Sequence, residues 1–278
     1  MTEKQSVGFE SGIRKRADSS KDKIYFHRAY RIIPRKNLVN YLWSAVALVI
    51  VPEIIIILFY SELTHIISRL TSYVLSFSIS SDFIEMLAKP YLYEDIFIVV
   101  VPGRYPSLEL SIVVAIISSI VLTLILMAKK YLDPMSIWMM LLSFVNLVSS
   151  IFFIFFADYF PYGVEVFSDL YMKTQVAMWL VIPVIITLSI IAFPTSFFGK
   201  LFLVIFTMGY SIAFTAARYI LFLFLLRETT YVFMAIMFFI FGPFIDFLAL
   251  VGFYSFYIYL VEKRTSKDLS VWRWSYRY

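Results

Sequence analysis

The sequence predicts an all-α, polytopic membrane protein: a six-transmembrane-helix bundle with an external amphipathic helix. Hydrophobic residues make up 61% of the chain and charged residues only 15%, whereas water-soluble domains are about half apolar and about a quarter charged. The apolar residues form long runs, and the basic residues gather at both ends and in short turns between those runs. Because one soluble core cannot bury so much apolar surface, a bilayer is the expected solvent and partner.

Three regions follow one another along the chain. Residues 1–37 form a basic cytoplasmic tail with ten Lys and Arg residues. Within it, residues 25–33 mix aromatic, aliphatic and basic side chains, which is typical of a short helix lying on an anionic membrane surface. Residues 38–261 form the six-span membrane domain, and residues 262–278 form a second basic cytoplasmic tail.

Six apolar runs satisfy the usual criterion for a transmembrane helix, which is at least about 18 residues with few or no charges. They cover 38–60, 108–128, 135–157, 175–195, 200–226 and 230–261. Proline lacks the N–H group that a helix interior needs. Gly242-Pro243 therefore predicts a bend in the sixth span, and Pro183 predicts one in the fourth.

The segment 61–107 is predicted to be external and irregular. Large apolar residues recur at helical spacing in its first part, opposite Glu62, Arg69 and Ser72, which predicts an amphipathic helix on the outer surface or over the bundle. A short strand-like run, 96–101, follows and ends at Pro102-Gly103. The apolar face of the predicted helix comprises Leu63, Ile66, Ile67, Leu70, Tyr73, Val74 and Phe77.

The distribution of basic residues predicts the orientation. With the N-terminus inside, 18 of the 24 Lys and Arg residues fall in cytoplasmic segments and 5 in external ones, while Arg218 lies within a span. Cytoplasmic loops of membrane proteins carry such an excess of bases. We therefore expect a multi-pass protein of the cell membrane with both termini cytoplasmic.

Three ionisable residues lie deep within the predicted spans: Glu53, Arg218 and Asp246. Each costs several kcal/mol there unless it is paired or hydrated. At 1.5 Å per residue, Glu53 and Arg218 both lie roughly 10–12 Å below the outer surface, which predicts an ion pair between them. Asp246 lies near the midplane with no partner at its own depth. The three residues form either an intramembrane polar path or an ion pair that fixes helix register.

Several kinds of chemistry are excluded by what the sequence lacks. No cysteine is present, which excludes disulfides, thiolate metal sites and iron–sulfur clusters. Of the two histidines, His27 lies in the tail and His65 in the external segment, so they cannot ligate one haem. The acids Glu165 and Asp169, in the predicted external turn 158–174, are expected to be solvated. We expect no catalytic residue, metal or cofactor.

The predicted function is that of a non-enzymatic polytopic membrane subunit. It would form or line a translocation path in a larger transport machine, either an exporter permease or a macromolecule or DNA translocation system. Since the chain has no GxxxxGK[ST] motif, ATP use would need a separate ATPase among its partner subunits. Nucleic acid would enter only as a transported substrate.

Two alternatives stay open. One is a cofactor-free hydrophobic anchor subunit of a respiratory or surface-assembly complex. The other is a membrane enzyme that uses carboxylates. Six spans, cytoplasmic ends and a basic segment before the first span resemble the topology of ABC exporter permeases. The last three spans, with Arg218 before an aromatic-rich helix, resemble those of exosortases, whose cysteine nucleophile and histidine are absent here.

Single cysteines introduced into this naturally cysteine-free chain test the topology directly. A cysteine at Ser80 should react with a membrane-impermeant thiol reagent from the external side, because 61–107 is predicted to be external. Labelling of that cysteine only from the cytoplasmic side would contradict the orientation.

Overall fold

The computed structural model describes residues 38–78, 80–127, 134–191, 193 and 195–265. The first predicted tail and most of the second lie outside these residues. The described part is mostly helical, and six of its helices are long and apolar enough to cross a membrane, as predicted. The first five are α1 (Leu38–Ser76), α2 (Leu108–Met127), α3 (Pro134–Phe156), α4 (Val164–Ile190) and α5 (Phe197–Glu228).

The sixth span is composite. It starts with a 3-10 turn (Tyr231–Phe233), continues as a π-helical segment (Ile236–Phe244) and ends as α6 (Ile245–Thr265). A β-hairpin, β1 (Glu85–Tyr91) and β2 (Glu94–Val100), lies between α1 and α2. The all-α prediction therefore holds for the six long helices but not for this hairpin, of which only the second strand was predicted, as the strand-like run 96–101.

The predicted external turn 158–174 is wrong over most of its length. Helix α4 begins at Val164, eleven residues before the predicted start of the fourth span at 175. Its two acids pair with lysines: Asp169 contacts Lys173 at 2.8 Å, and Glu165 contacts Lys89 of β1. The ion pair with Glu165 raises the pKa of Lys89. The charged residues at the start of α4 were interpreted as part of a loop, which is why the predicted span begins too late.

The predicted separate amphipathic helix is also wrong, because residues 61–76 continue α1 without a break. The 39 residues of α1 span about 58 Å, roughly twice the thickness of a hydrocarbon core. The predicted face is partly reversed, although Ile67 is buried and Glu62 and Arg69 are exposed as predicted. Ile66, Leu70 and Phe77 are exposed, whereas Thr64 and Ser68 are fully buried.

The hairpin explains this reversal. Strand β2 pairs with β1 along one edge, and its other edge faces α1. Ser68 Oγ donates to the Phe97 carbonyl (2.7 Å), the Phe97 N–H donates to Thr64 Oγ1 (3.2 Å), and Ser61 Oγ donates to the Asp95 carbonyl (2.8 Å). Buried backbone groups need such partners. The hydroxyl-bearing face of α1 therefore turns inward and covers the strand edge.

The hairpin is seated among the helices rather than lying free outside them. Ile96, Ile98 and Val99 of β2 have no exposed surface. The Val99 N–H donates to the Tyr219 hydroxyl of α5 (2.8 Å), and the Val99 carbonyl accepts from Ser168 Oγ of α4 (2.9 Å). Strand β2 thus fills the space between α1, α4 and α5. We call this the hairpin end of the bundle, where α4 begins and α5 ends.

Gly103 lets the segment after β2 pass close to the helices. A Cβ atom at this position would lie 2.5 Å from the Tyr231 ring and 2.6 Å from Val164 Cγ2. Beside it, the Tyr231 N–H donates to the Arg104 carbonyl (3.2 Å). Any larger residue at 103 must push the segment away from the helix ends.

Helices α2 and α3 form a pair that packs mainly against itself. The serine hydroxyl of Ser149 on α3 donates to the Val232 carbonyl (2.6 Å), which attaches the pair to the start of the sixth span. Large apolar side chains on α2 and α3 are exposed along both helices. Their surface is compatible with contact to a lipid bilayer.

Gly103→Ala tests how the hairpin is seated. The added methyl should lower the thermal stability of the detergent-solubilised protein, because overpacking typically costs about 1–3 kcal/mol. The matched control is Gly252→Ala on α6, where a Cβ meets nothing within 4 Å. That change should keep or raise stability, since alanine is the better helix former. Equal melting temperatures for Gly103→Ala and the parent would contradict the close packing.

Candidate functional site

The sixth span is broken at Gly242-Pro243, which confirms the predicted bend. Gly242 has φ −88° and ψ −118°, outside the helical region, and the turns before it are π-helical. Pro243 donates no N–H, so carbonyls of the preceding turns lose helical partners. Pro183, by contrast, lies inside α4, which continues to Ile190.

Arg218 of α5 occupies this break. Its Nη1 donates to the Phe241 carbonyl at 2.8 Å and to the Gly242 carbonyl at 2.7 Å. The carbonyl end of a helix carries a partial negative charge that favours a cation. The guanidinium therefore caps the first half of the sixth span.

Asp246 complements the second half. It lies in the first turn of α6, where the N–H end of the helix favours an anion. Its Oδ2 is 2.7 Å from Arg218 Nη2, and the residues are only 4% (Arg218) and 3% (Asp246) exposed. The ion pair thus bridges the break, with each charge at the helix end that stabilises it.

The predicted Glu53–Arg218 pair is wrong, as is the expectation that Asp246 has no partner at its depth. Glu53 is partly buried on α1 and makes no ion pair within the described ranges. The depth estimate assumed a constant rise of 1.5 Å per residue. It also counted backbone positions only, whereas the long Arg218 side chain extends from α5 to the break, where it meets Asp246.

Gln175 joins α4 to the pair. Its Oε1 accepts from Arg218 Nη2 (3.0 Å) and from Thr215 Oγ1 (2.8 Å), and the residue is fully buried. The Phe214 ring lies 4.7 Å from the guanidinium carbon, within cation–π distance. We call Gln175, Thr215, Arg218 and Asp246 the charge cluster. Gln175 was not predicted as a site residue, because the fourth span was predicted to begin at this position.

Two stacked tyrosines, Tyr171 and Tyr219, link the charge cluster to the hairpin. The Tyr171 hydroxyl donates to the Thr215 carbonyl at 3.5 Å, and the Tyr171 ring stacks on Tyr219 with centroids 5.5 Å apart. Tyr219 in turn bonds the backbone of Val99. The spacing of Ser168, Tyr171 and Gln175 along α4 is helical, so these polar groups share one face. That stripe was the signal available in the sequence.

The charge cluster has unused hydrogen-bonding capacity. Within the described part of the chain, Arg218 Nε is buried without a partner, whereas the side chains of Gln175 and Asp246 interact with each other. Leaving such a group unsatisfied typically costs about 1–3 kcal/mol, so native proteins keep few of them. Arg218 also borders a cavity of about 470 Å³ whose other walls are almost entirely apolar, among them Leu221, Met237 and Phe241.

No protein-family model, curated protein sequence or solved structure matches this chain. Across the ranges that the structure covers, no three His, Asp or Glu side chains are grouped so as to hold a metal ion. The charge cluster and its position at the helix break are therefore the features from which a function can be inferred.

A double-mutant cycle tests the ion pair. Arg218→Met and Asp246→Leu should each lower the free energy of unfolding in mixed micelles by about 3–5 kcal/mol, because each leaves an unpaired buried charge. The double variant should lose clearly less than the sum. As a matched comparison, Glu53→Gln combined with Arg218→Met should be additive. Additive losses for Arg218 and Asp246 would refute the pairing.

Proposed function

We propose that this chain is a multi-pass membrane protein, with both termini cytoplasmic, that lines the translocation path of a larger transport machine as a non-enzymatic subunit. The observation that carries the proposal is the buried Arg218–Asp246 pair at the break in the sixth span. Transporters typically build their substrate and ion sites from discontinuous helices whose half-helix ends face the bound charge. Ionisable residues within spans typically mark pathways.

The energetics support a functional role for the charge cluster. Replacing a buried ion pair by well-packed apolar residues is often neutral or stabilising, so stability alone seldom requires one. Here the pair is combined with a broken helix and a buried guanidinium nitrogen, Arg218 Nε, that has no partner in the described part of the chain. The guanidinium and the carboxylate are the positions at which an incoming polar group would bind. A substrate or ion that takes one of these positions would compete with the internal bonds of Arg218 and Asp246.

The hairpin supports a closed state of this path. In the proposed orientation the hairpin end faces outward, and β2 fills the space between α1, α4 and α5 beyond the charge cluster. Tyr219 contacts both Val99 of the hairpin and the ring of Tyr171, whose hydroxyl reaches Thr215. A displacement of the hairpin would therefore disturb the hydrogen bonds that orient the cluster.

The partners follow from what the chain lacks and what it exposes. Without a nucleotide-binding motif, the energy for transport would come from an ATPase on a separate chain. The apolar surfaces of α2, of α3 and of the first half of α1, away from the hairpin, give lipid and other subunits a large area to contact. An exported solute, a macromolecule or DNA would be the substrate.

The alternative is a hydrophobic anchor subunit without a path. The observation that favours it is the α2–α3 pair, which packs mainly against itself and exposes apolar side chains that partner helices would cover. In that case the charge cluster only fixes the register of α4, α5 and the sixth span.

Asp246→Asn separates the two proposals in the native host. Asn retains an oxygen that accepts from Arg218, so the variant should reach normal levels in the membrane while failing to restore the transport lost on deletion. Asp246→Leu should instead reduce abundance, because no acceptor for Arg218 remains at position 246. Glu53→Gln, which leaves the cluster intact, is the control and should restore transport. Full activity of Asp246→Asn would favour the anchor.

A further inference from the structure

A second cavity lies at the other end of the bundle from the hairpin. It encloses about 630 Å³ between the start of α5 and the end of α6, within the range of roughly 300–1,000 Å³ typical of ligand sites. It shares no residue with the charge cluster. We call its polar lining residues, Thr195, Ser196, Tyr257 and Arg264, the polar side, and its aromatic and aliphatic lining residues the apolar side.

The polar side offers donors and positive charge. Ser196 caps α5, accepting from the Gly199 N–H at 3.2 Å, and the N-terminus of this 32-residue helix carries a partial positive charge. The exposed Arg264 side chain lines the same side. The Thr195 and Tyr257 hydroxyl oxygens are 2.7 Å apart. Since one hydroxyl donates to the other, the pair keeps one proton for a further acceptor.

The apolar side is built for a hydrocarbon chain. Phe202 is 70% exposed and Phe256 61% exposed, and Phe206 is also exposed. These rings face away from the core of the bundle, towards the surface that the bilayer would cover. Leu203 and Leu260 complete the wall. An occupant that satisfies both sides must combine an anionic headgroup with a long apolar tail.

We propose that this cavity is a binding site for an anionic phospholipid. The phosphate would lie at the N-terminus of α5 beside Arg264, and an acyl chain would lie along Phe202, Phe206 and Phe256. Arg264 and the N-terminus of α5 lie together on the polar side, where the headgroup would bind. Their positive charge therefore favours an anionic lipid over a zwitterionic one. The proposal is independent of the transport path.

A fluorescent reporter tests lipid occupancy in the full-length chain. Phe256→Cys, labelled with bimane, places the probe at the cavity, and Leu188→Cys places it on α4, 71% exposed and outside the cavity lining. The protein is reconstituted in dioleoylphosphatidylcholine vesicles that contain one tenth brominated phosphatidylglycerol or one tenth brominated phosphatidylcholine. At position 256, quenching should show a phosphatidylglycerol preference roughly fivefold above that at 188, the gain expected from one additional basic contact.

The variants assign that preference to the cavity. Arg264→Gln should reduce it roughly fivefold, to the level at position 188. Lys263→Gln removes the same charge one residue away and does not line the cavity, so it should leave the preference unchanged. Equal preferences at 256 and 188 would overturn the proposal. So would equal losses in both variants, which indicate surface charge alone, or no quenching at 256 by either lipid, which indicates cover by another protein chain.

Discussion

The guanidinium group of Arg218 holds the centre of this structure together. It binds the last carbonyls of one half-helix, the carboxylate at the start of the next and the side-chain amide of Gln175 on α4. A single side chain on α5 therefore fixes both halves of the sixth span and the adjacent helix. Without it, the break at Gly242-Pro243 would leave carbonyls and the Asp246 charge buried and unpaired, a cost of several kcal/mol.

The hairpin depends on the same principle of satisfying buried backbone groups. Its strand β2 is buried on the α1 side, so that edge needs hydrogen-bond partners. Ser61, Thr64 and Ser68 provide them from α1, and Tyr219 and Ser168 provide them at Val99. Tyr219 also stacks on Tyr171, whose hydroxyl reaches the Thr215 carbonyl, so ring packing and hydrogen bonds together connect the hairpin to the charge cluster. The position of the hairpin and the geometry at the helix break are therefore linked.

Hydrophobicity and proline chemistry made part of this structure predictable. Six spans follow from apolar runs of sufficient length, and the break follows from Gly242-Pro243, because both depend on local sequence. The partner of Arg218 was not predictable from backbone depth alone, since the long Arg218 side chain reaches the break in the sixth span. The buried face of α1 was predicted only in part, because apolar residues alone were assumed to face inward. Thr64 and Ser68 face inward as well as Ile67, and only the position of β2 reveals why.

In the proposed function, the hairpin closes a path past the charge cluster. Ser211 is 2% exposed and lies two turns from Arg218 on α5, on the side away from the hairpin. A cysteine there, in this cysteine-free chain, should be inert to a membrane-impermeant methanethiosulfonate reagent added from the hairpin side. Loosening the hairpin with Tyr219→Phe and Gly103→Leu should raise its reaction rate at least about tenfold. In the loosened protein, a cysteine at Ser211 could also stay inert while a cysteine at the exposed Ser80 reacts fully. That result would mean that no path passes the charge cluster, and it would contradict the proposed function.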